Sequence, residues 1–331
     1  AASDVYKRQA VVCAGSLLGV ALNRTGSSFP VGKVDFMTLY PVSFEEYLQA
    51  ADERLYRAYQ MIDEIMAVPE VIHQQLIDAY KVYLVLGGMP EVVSTYLDTR
   101  NWSDVKTVQG AILQSYSLDF AKHISNKDIP RVFQVWGNLQ DQLAREDKKF
   151  RYADIQKGGR AREYEGAIEW LCLAGLVYRV SAIETPRLPL SAYKKSNAFK
   201  LYLNDVGLLG RKFDLDATTV LMGNNLFTEF KGVIAENYVL QSLVRQFGNQ
   251  HYYWTSGNTA EVEFVLQDTG RIIPIEVKAD KNVTAKSLAY YRKQYTPQLS
   301  IRLSILNMRK DGDLLNLPLY LVDKLKFFCS L

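Results

Sequence analysis

The segment Glu261-Val262-Glu263-Phe264-Val265-Leu266-Gln267-Asp268-Thr269-Gly270-Arg271-Ile272-Ile273-Pro274-Ile275-Glu276-Val277-Lys278 has the most strongly patterned sequence of the chain. Two alternating apolar runs flank Gly270, the pattern of a β-hairpin. Val262, Phe264 and Leu266 form one apolar set, and Ile273, Ile275 and Val277 form the other. A slip of one residue turns a strand's whole apolar set to the opposite face, so only registers that keep both sets together are acceptable. A loop over 268–271, closed by Gln267 and Ile272, meets that condition. It predicts Phe264 opposite Ile275, Val262 opposite Val277, Glu263 opposite Glu276 and Glu261 opposite Lys278. Facing carboxylates repel each other across a sheet. A bound cation removes that penalty, and magnesium is content with a few oxygen ligands and several waters. Lys278 lies two residues from Glu276, on the same face, where it can orient a water or stabilise developing phosphate charge. The ordinary alternative is a solvated strand whose Glu and Lys residues make weak surface ion pairs.

Before the hairpin, residues 226–247 are predicted to be a helix. Glu236 falls within its apolar stripe of Val233, Leu240, Leu243 and Phe247, where an unpaired carboxylate is costly. Its expected role is to join Glu263 and Glu276 as a metal ligand. A strand over 252–255 follows that helix. After the hairpin come a helix over 285–294, a strand over 299–306 and a further short strand over 319–322. Apart from that last short strand, the order is αβββαβ.

Residues 130–205 read as three helices (131–143, 152–156, 161–174) and two strands (176–180, 199–203), the order of a winged helix-turn-helix. Leu143, Ile155, Ile168, Leu171 and Leu176 are its expected core. The third helix would present Arg160 and Arg162 to DNA. Lys148, Lys149, Arg151 and Lys157 precede it, and Lys194 and Lys195 stand on the candidate wing. Upstream, residues 44–128 read as helical, with Leu55, Tyr59, Ile62 and Met66 at helical spacing. A capping box of Ser43 and Glu46 opens this region and Gly87-Gly88-Met89-Pro90 interrupts it. Residues 34–40 read as a strand, and so do residues 10–14, which run into Gly15-Ser16. Residues 3–9 have the look of a translated sequencing adapter, so the natural chain is expected to begin further upstream.

With 331 residues, 48% hydrophobic and 23% charged, the chain is expected to be globular and multidomain. A formal net charge of +3 is too small to argue for nucleic acid by itself. Cys13, Cys172 and Cys329 have no metal-ligand spacing and suit a reducing cytoplasm. No apolar run approaches the length of a bilayer span, so no membrane partner is expected.

Glu236, Glu263 and Glu276-Val277-Lys278 together resemble the PD-(D/E)XK nuclease signature. The wider chain resembles a prokaryotic family of AAA-type ATPases with an uncharacterised C-terminal region. That resemblance rests on Cys13-Ala14-Gly15-Ser16, Leu39-Tyr40-Pro41-Val42-Ser43-Phe44-Glu45-Glu46-Tyr47, Gly87-Gly88-Met89-Pro90-Glu91, Phe199-Lys200-Leu201-Tyr202-Leu203-Asn204-Asp205-Val206-Gly207-Leu208-Leu209 and Pro274-Ile275-Glu276-Val277-Lys278. It implies a mixed α/β multidomain fold with four parts. These are a remnant of a P-loop ATPase sheet (1–48), a helical lid or linker (49–128), a winged helix (129–210) and a nuclease-like domain (211–331). Gly15 and Ser16 would end the sensor strand of the ATPase. The chain departs from the family in having no Gly-x-x-x-x-Gly-Lys-Ser/Thr loop and no magnesium-holding acidic strand. It also carries Glu263 where the nuclease signature usually has Asp.

The first functional expectation is the C-terminal part of a cytoplasmic AAA-type ATP-binding protein acting on nucleic acid or on a partner bound to it. ATP would then bind only in the full-length parent, and partners would be DNA, another protein, or a second copy met through the ATPase domain. A second expectation is a magnesium- or manganese-dependent DNA endonuclease with Lys278, Glu276 and Glu263 as catalytic groups. A third is a non-catalytic interaction module with a vestigial site. Without a phosphate loop, the chain as given is predicted not to hydrolyse ATP; micromolar ATP binding with turnover in a phosphate-release assay would refute this.

Overall fold

The computed structural model describes residues 35–331 apart from 125–127, 223–227, 258–259 and 280–284. The expected strand over 10–14, the Gly15-Ser16 sensor remnant and the adapter-like stretch lie outside the described residues. Thirteen α-helices and an eight-stranded mixed sheet are found among those described.

Residues 35–43 are irregular, not a strand. Ser43 and Glu46 form the expected capping box at the start of α1, Phe44–Ala51. Asp52 then caps α2, Glu53–Gln60, through the Leu55 amide. Leu55 and Tyr59 are buried on α2, but Ile62 and Met66 lie beyond its end. Three longer helices follow: α3, Glu70–Leu86; α4, Pro90–Thr99; and α5, Trp102–His123.

Helices α6 (Ile129–Leu143), α7 (Tyr152–Ile155) and α8 (Ala161–Leu173) precede an antiparallel pair, β1 (Val177–Ile183) and β2 (Lys194–Leu203). Leu143, Ile168, Leu171 and Leu176 are buried together, and Ile155 packs against them half-buried. The hairpin does not stand apart. β1 also pairs in parallel with β3, His251–Thr255, so the sheet runs on without a break in the order β2-β1-β3-β4-β5-β6-β8-β7. The β1–β2 connection is held down as well. Leu190 is buried beside Trp254, its amide donates to Gln267 Oε1 at 3.0 Å, and the Trp254 indole donates to the Glu184 carbonyl at 2.9 Å.

Two short helices missing from the sequence reading follow, α9 (Val206–Lys212) and α10 (Ala217–Met222), and then the long α11, Thr228–Phe247. The rest of the sheet comprises β4 (Glu261–Asp268), β5 (Arg271–Lys278), β6 (Ser300–Ser304), β7 (Arg309–Asp311) and β8 (Leu314–Pro318). Helix α12, Lys286–Tyr295, packs on β4 and β5. Residues 319–322, expected as a strand, are instead part of a 3-10 helix, Leu319–Lys324, leading to α13, Leu325–Ser330. Their continuous burial looks like a sheet strand in sequence, but the last strand, β8, ends just before them at Pro318.

The β4–β5 register is the expected one, from Phe264–Ile275 through Asp268–Arg271. Thr269 and Gly270 form the tip with φ of 45° and 79°, the two left-handed residues of a tight hairpin turn. The other edge of β4 brings a departure. Tyr252 pairs with Val265 and Trp254 with Val262, so two steps of β3 span three of β4. This bulge separates the apolar set that strict alternation had put on one face. Val262 joins Trp254, Leu288 and Tyr291, whereas Phe264 and Leu266 join the main core with Ile273, Ile275 and Val277.

Three sequence stretches quoted above meet at one buried joint. The Gly88 carbonyl accepts from the Val42 amide at 2.7 Å, and the Val42 carbonyl accepts from the Tyr83 hydroxyl at 2.5 Å. Asp205 accepts from the Gly88 amide at 2.6 Å and from Leu208 at 2.9 Å, the latter capping α9. Burial pushes the Asp205 carboxyl up to about 6, against these amide bonds, which lower it. A Cβ on Gly87 would sit 2.2 Å from Asp205 Oδ1, and one on Gly207 would sit 2.2 Å from the Leu86 carbonyl oxygen. Backbone cannot yield as a flexible side chain can. Gly207→Ala is therefore predicted to destabilise by about 2–4 kcal/mol. Gly137→Ala in α6, where a Cβ would meet nothing within 4 Å, should be neutral or stabilising by up to ~1 kcal/mol. Urea unfolding of the two variants checks the contrast.

Candidate functional site

Helix α11 is buried on all sides between 233 and 244, where a charged or amide side chain is costly without a partner; the Tyr238 hydroxyl there has none. Asn237 both donates to and accepts from the backbone of Leu203. Gln241 accepts from the Val206 amide and donates to the Tyr83 hydroxyl. Glu236 is 3% exposed. Its Oε1 accepts from Lys148 Nζ at 2.9 Å and its Oε2 from the Tyr202 hydroxyl at 2.9 Å. Burial raises the Glu236 carboxyl, but the Lys148 and Lys200 ammonium groups and the Tyr202 bond outweigh it and hold the group below its ordinary range. Glu236 is therefore ionised at neutral pH.

The hairpin supplies the other acids. Glu276 is 2% exposed, and its Oε1 pairs with Lys278 Nζ at 2.6 Å. Its Oε2 is buried with no N–H or hydroxyl donor, and a hydrogen bond with the Glu263 carboxyl lowers the Glu276 carboxyl. Glu263 does not simply face Glu276. At the bulge its Oε2 accepts from the Val277 backbone amide at 3.2 Å, in keeping with the way bulges re-aim side chains. Burial, then the Glu276 and Glu236 charges, pushes the Glu263 carboxyl well above the ordinary carboxylate range. Burial also raises Glu276, although Lys278 opposes it. Two carboxyls that cannot both ionise cheaply share a proton. Burial alone would lower Lys278, yet Glu263 and Glu276 hold it charged, above its usual value.

Glu236, Glu263, Glu276 and Lys278 thus form one electrostatic group, with Lys148 as an unforeseen fifth member. Lys148 was read from sequence as a DNA contact. Its side chain is 16% exposed and turned inward, and despite desolvation Glu236, Glu263 and Glu261 keep it charged above its ordinary range. The sequence reading also gave no role to Lys200, which is 1% exposed, paired with Glu261 and 4.8 Å from the Tyr253 ring centroid. A signal was present: a lysine inside the apolar run Phe199–Leu203 must find a partner. Among the described residues no three His, Cys, Asp or Glu side chains stand in the arrangement of a formed metal site. The charged partners of Glu236 and Glu276 are lysines.

The remaining candidates for DNA contact differ in accessibility. Lys157, Arg160, Arg162 and Lys194 are exposed. Arg160 is the N-cap of α8, and its amide donates to Glu163 Oε2 at 3.1 Å. Arg151 is exposed but paired with Asp147 at 2.6 Å, Lys149 is half-buried, and Lys195 pairs with Glu184. Cys172 and Cys329 are free thiols. No helix among the described residues is long and apolar enough to cross a membrane.

Residues 77–219 match the family model described as "Domain of unknown function (DUF8612)", and residues 231–320 match that described as "Domain of unknown function (DUF4143)". No curated protein and no solved structure matches the chain significantly. Glu236, Glu263, Glu276 and Lys278 fall in the second match, and Lys148, Lys200 and Tyr202 in the first.

The raised Glu263 carboxyl fixes a sign. A group whose folded pKa lies above its unfolded value stabilises the fold fully below the unfolded value, and that contribution is lost as pH rises through the folded value. Glu263→Gln, which keeps an acceptor for the Val277 amide and cannot ionise, should therefore melt higher than the wild-type chain at pH 8. The gap should close toward pH 4, and paired melting curves across that range test it.

Proposed function

We propose that this chain is the C-terminal part of an AAA-type ATP-binding protein acting on nucleic acid, and that Glu236, Glu263, Glu276 and Lys278 form a nuclease-like site for a phosphodiester. The observation that carries the reading is the buried carboxyl pair Glu263 and Glu276, hydrogen-bonded to each other, with no N–H or hydroxyl donor on the Glu276 Oε2. Two such acids are costly to ionise together, and a hard divalent cation is the partner that carboxylate oxygens suit. Glu276 and Glu263 would hold one magnesium or manganese ion with help from Glu236; when bound, that ion would supply positive charge to a phosphate oxygen and acidity to a water. Lys278, charged and 27% exposed, is the group able to reach a phosphate or orient the attacking water.

The link to an ATPase draws support from the DUF4143 match, a kind of region found in AAA-ATPase-associated C-terminal regions. The exposed Lys157, Arg160 and Arg162 around the start of α8 support a winged-helix contact with DNA phosphates, whose affinity would fall steeply with salt. A second reading, a vestigial site in an interaction module, draws on Lys148 and Lys278 already serving as counter-ions, and on Glu263 where Asp is usual. The longer side chain at that position moves the carboxylate within a site that tolerates little displacement.

Millimolar manganese should raise the melting temperature of the intact chain, since a ligand that binds only the folded state stabilises it by mass action. Glu276→Gln should abolish that rise. Lys278→Ala should keep it while removing metal-dependent plasmid nicking, and Arg160→Ala/Arg162→Ala should weaken low-salt DNA binding. A melting curve indifferent to manganese would refute the metal site. Manganese binding without nicking in the wild-type chain would favour the vestigial module.

A further inference from the structure

Lys148 is the least expected member of the acidic group. It follows the end of α6 in a loop whose far side is fastened. The Phe150 amide donates to the Phe199 carbonyl at 2.9 Å, and Gln142 bonds both the amide and the carbonyl of Arg151 at 3.0 Å. Lys148 itself has φ of 50°, a left-handed conformation uncommon for a residue other than glycine and concentrated at functional or switching positions. In this conformation its Nζ lies 2.9 Å from Glu236 Oε1.

That contact fills the side of Glu236 a cation would need: Oε1 accepts from Lys148 Nζ and Oε2 from the Tyr202 hydroxyl, each at 2.9 Å. A cation that takes Oε1 meets the ammonium at contact distance, where like charges repel. Lys278 is fixed to Glu276 by its own strand, whereas Lys148 arrives on a loop.

Resting on the metal reading above, we propose that Lys148 is a tethered ammonium plug, occupying the cation side of Glu236 in the metal-free protein and displaced from it when magnesium or manganese enters. The loop around 148 then moves with metal occupancy, beside the exposed Arg151.

The full chain, Lys148→Met and Lys148→Arg are titrated with manganese chloride by calorimetry. The expected result is roughly tenfold tighter binding by Lys148→Met, the effect of removing one competing charge contact, with Lys148→Arg close to wild type. In the wild-type chain, manganese should also speed tryptic cleavage at Lys148 and Lys149, and Glu276→Gln should lose that effect. Binding by Lys148→Met with none by wild type overturns the displaceable plug, because the ion would then never enter the native chain. Equal or weaker binding by Lys148→Met, with wild type binding normally, overturns the plug and leaves the metal site standing. No binding by any of the three overturns both. Should Lys148→Met fail to fold, tryptic cleavage of the wild-type chain unchanged by manganese overturns the plug.

Discussion

A helix buried on every side must answer its charged and amide side chains, and α11 carries Glu236, Asn237, Gln241 and Ser242, with only the Tyr238 hydroxyl lacking a partner among the described polar groups of that stretch. Their partners come from several parts of the chain. Lys148 and Tyr202 reach Glu236, the Leu203 backbone meets Asn237, Val206 and Tyr83 meet Gln241, and Asp323 accepts from Ser242 at 2.6 Å. These partners belong to the α6–α7 loop, β2, α9, α3 and the C-terminal 3-10 helix. Satisfying one helix thus fixes how the helical half and the sheet half meet. The continuous sheet across β1 and β3 expresses the same constraint in backbone hydrogen bonds.

The Asp205 joint extends that logic to the segments the helix does not touch directly. A buried carboxylate holds the amide of Gly88 and caps α9, while Gly87 and Gly207 let two backbones approach more closely than any Cβ would allow. Gly87-Gly88-Met89-Pro90 and the run from Phe199 to Leu209, quoted separately from sequence, are two sides of one contact. Their residue types follow from close approach and buried hydrogen bonding.

The acidic group is of another kind. Its acids crowd one another, with no N–H or hydroxyl donor on the Glu276 Oε2, and are held by lysines from α6's trailing loop and from β5 itself. Low local dielectric makes such a group responsive: a change in any one charge alters the protonation of the others. Structural ion pairs elsewhere, such as Arg292 with Asp313, are closed by two side chains that satisfy each other and have no such slack.

Alternation and turn chemistry determined a good deal from sequence alone. The β4–β5 register, the Ser43–Glu46 capping box, the three helices before the β1–β2 hairpin and the polar anomaly at Glu236 all follow from local periodicity, because period and face are properties of neighbouring residues. Only the tertiary structure decided the bulge that splits Val262 from Phe264 and turns Glu263 toward the Val277 amide, since a bulge answers to the strand on the far edge. Likewise 319–322, as apolar as a strand, became a 3-10 helix once β8 had taken the last place beside β6. Lys148 shows the division most sharply. In sequence it is one basic residue among several and reads as solvated or phosphate-facing; it turns inward because Glu236, 88 residues away, is buried and ionised and must be paired. Burial of charge is a property of the folded whole, and no local pattern of residues encodes it.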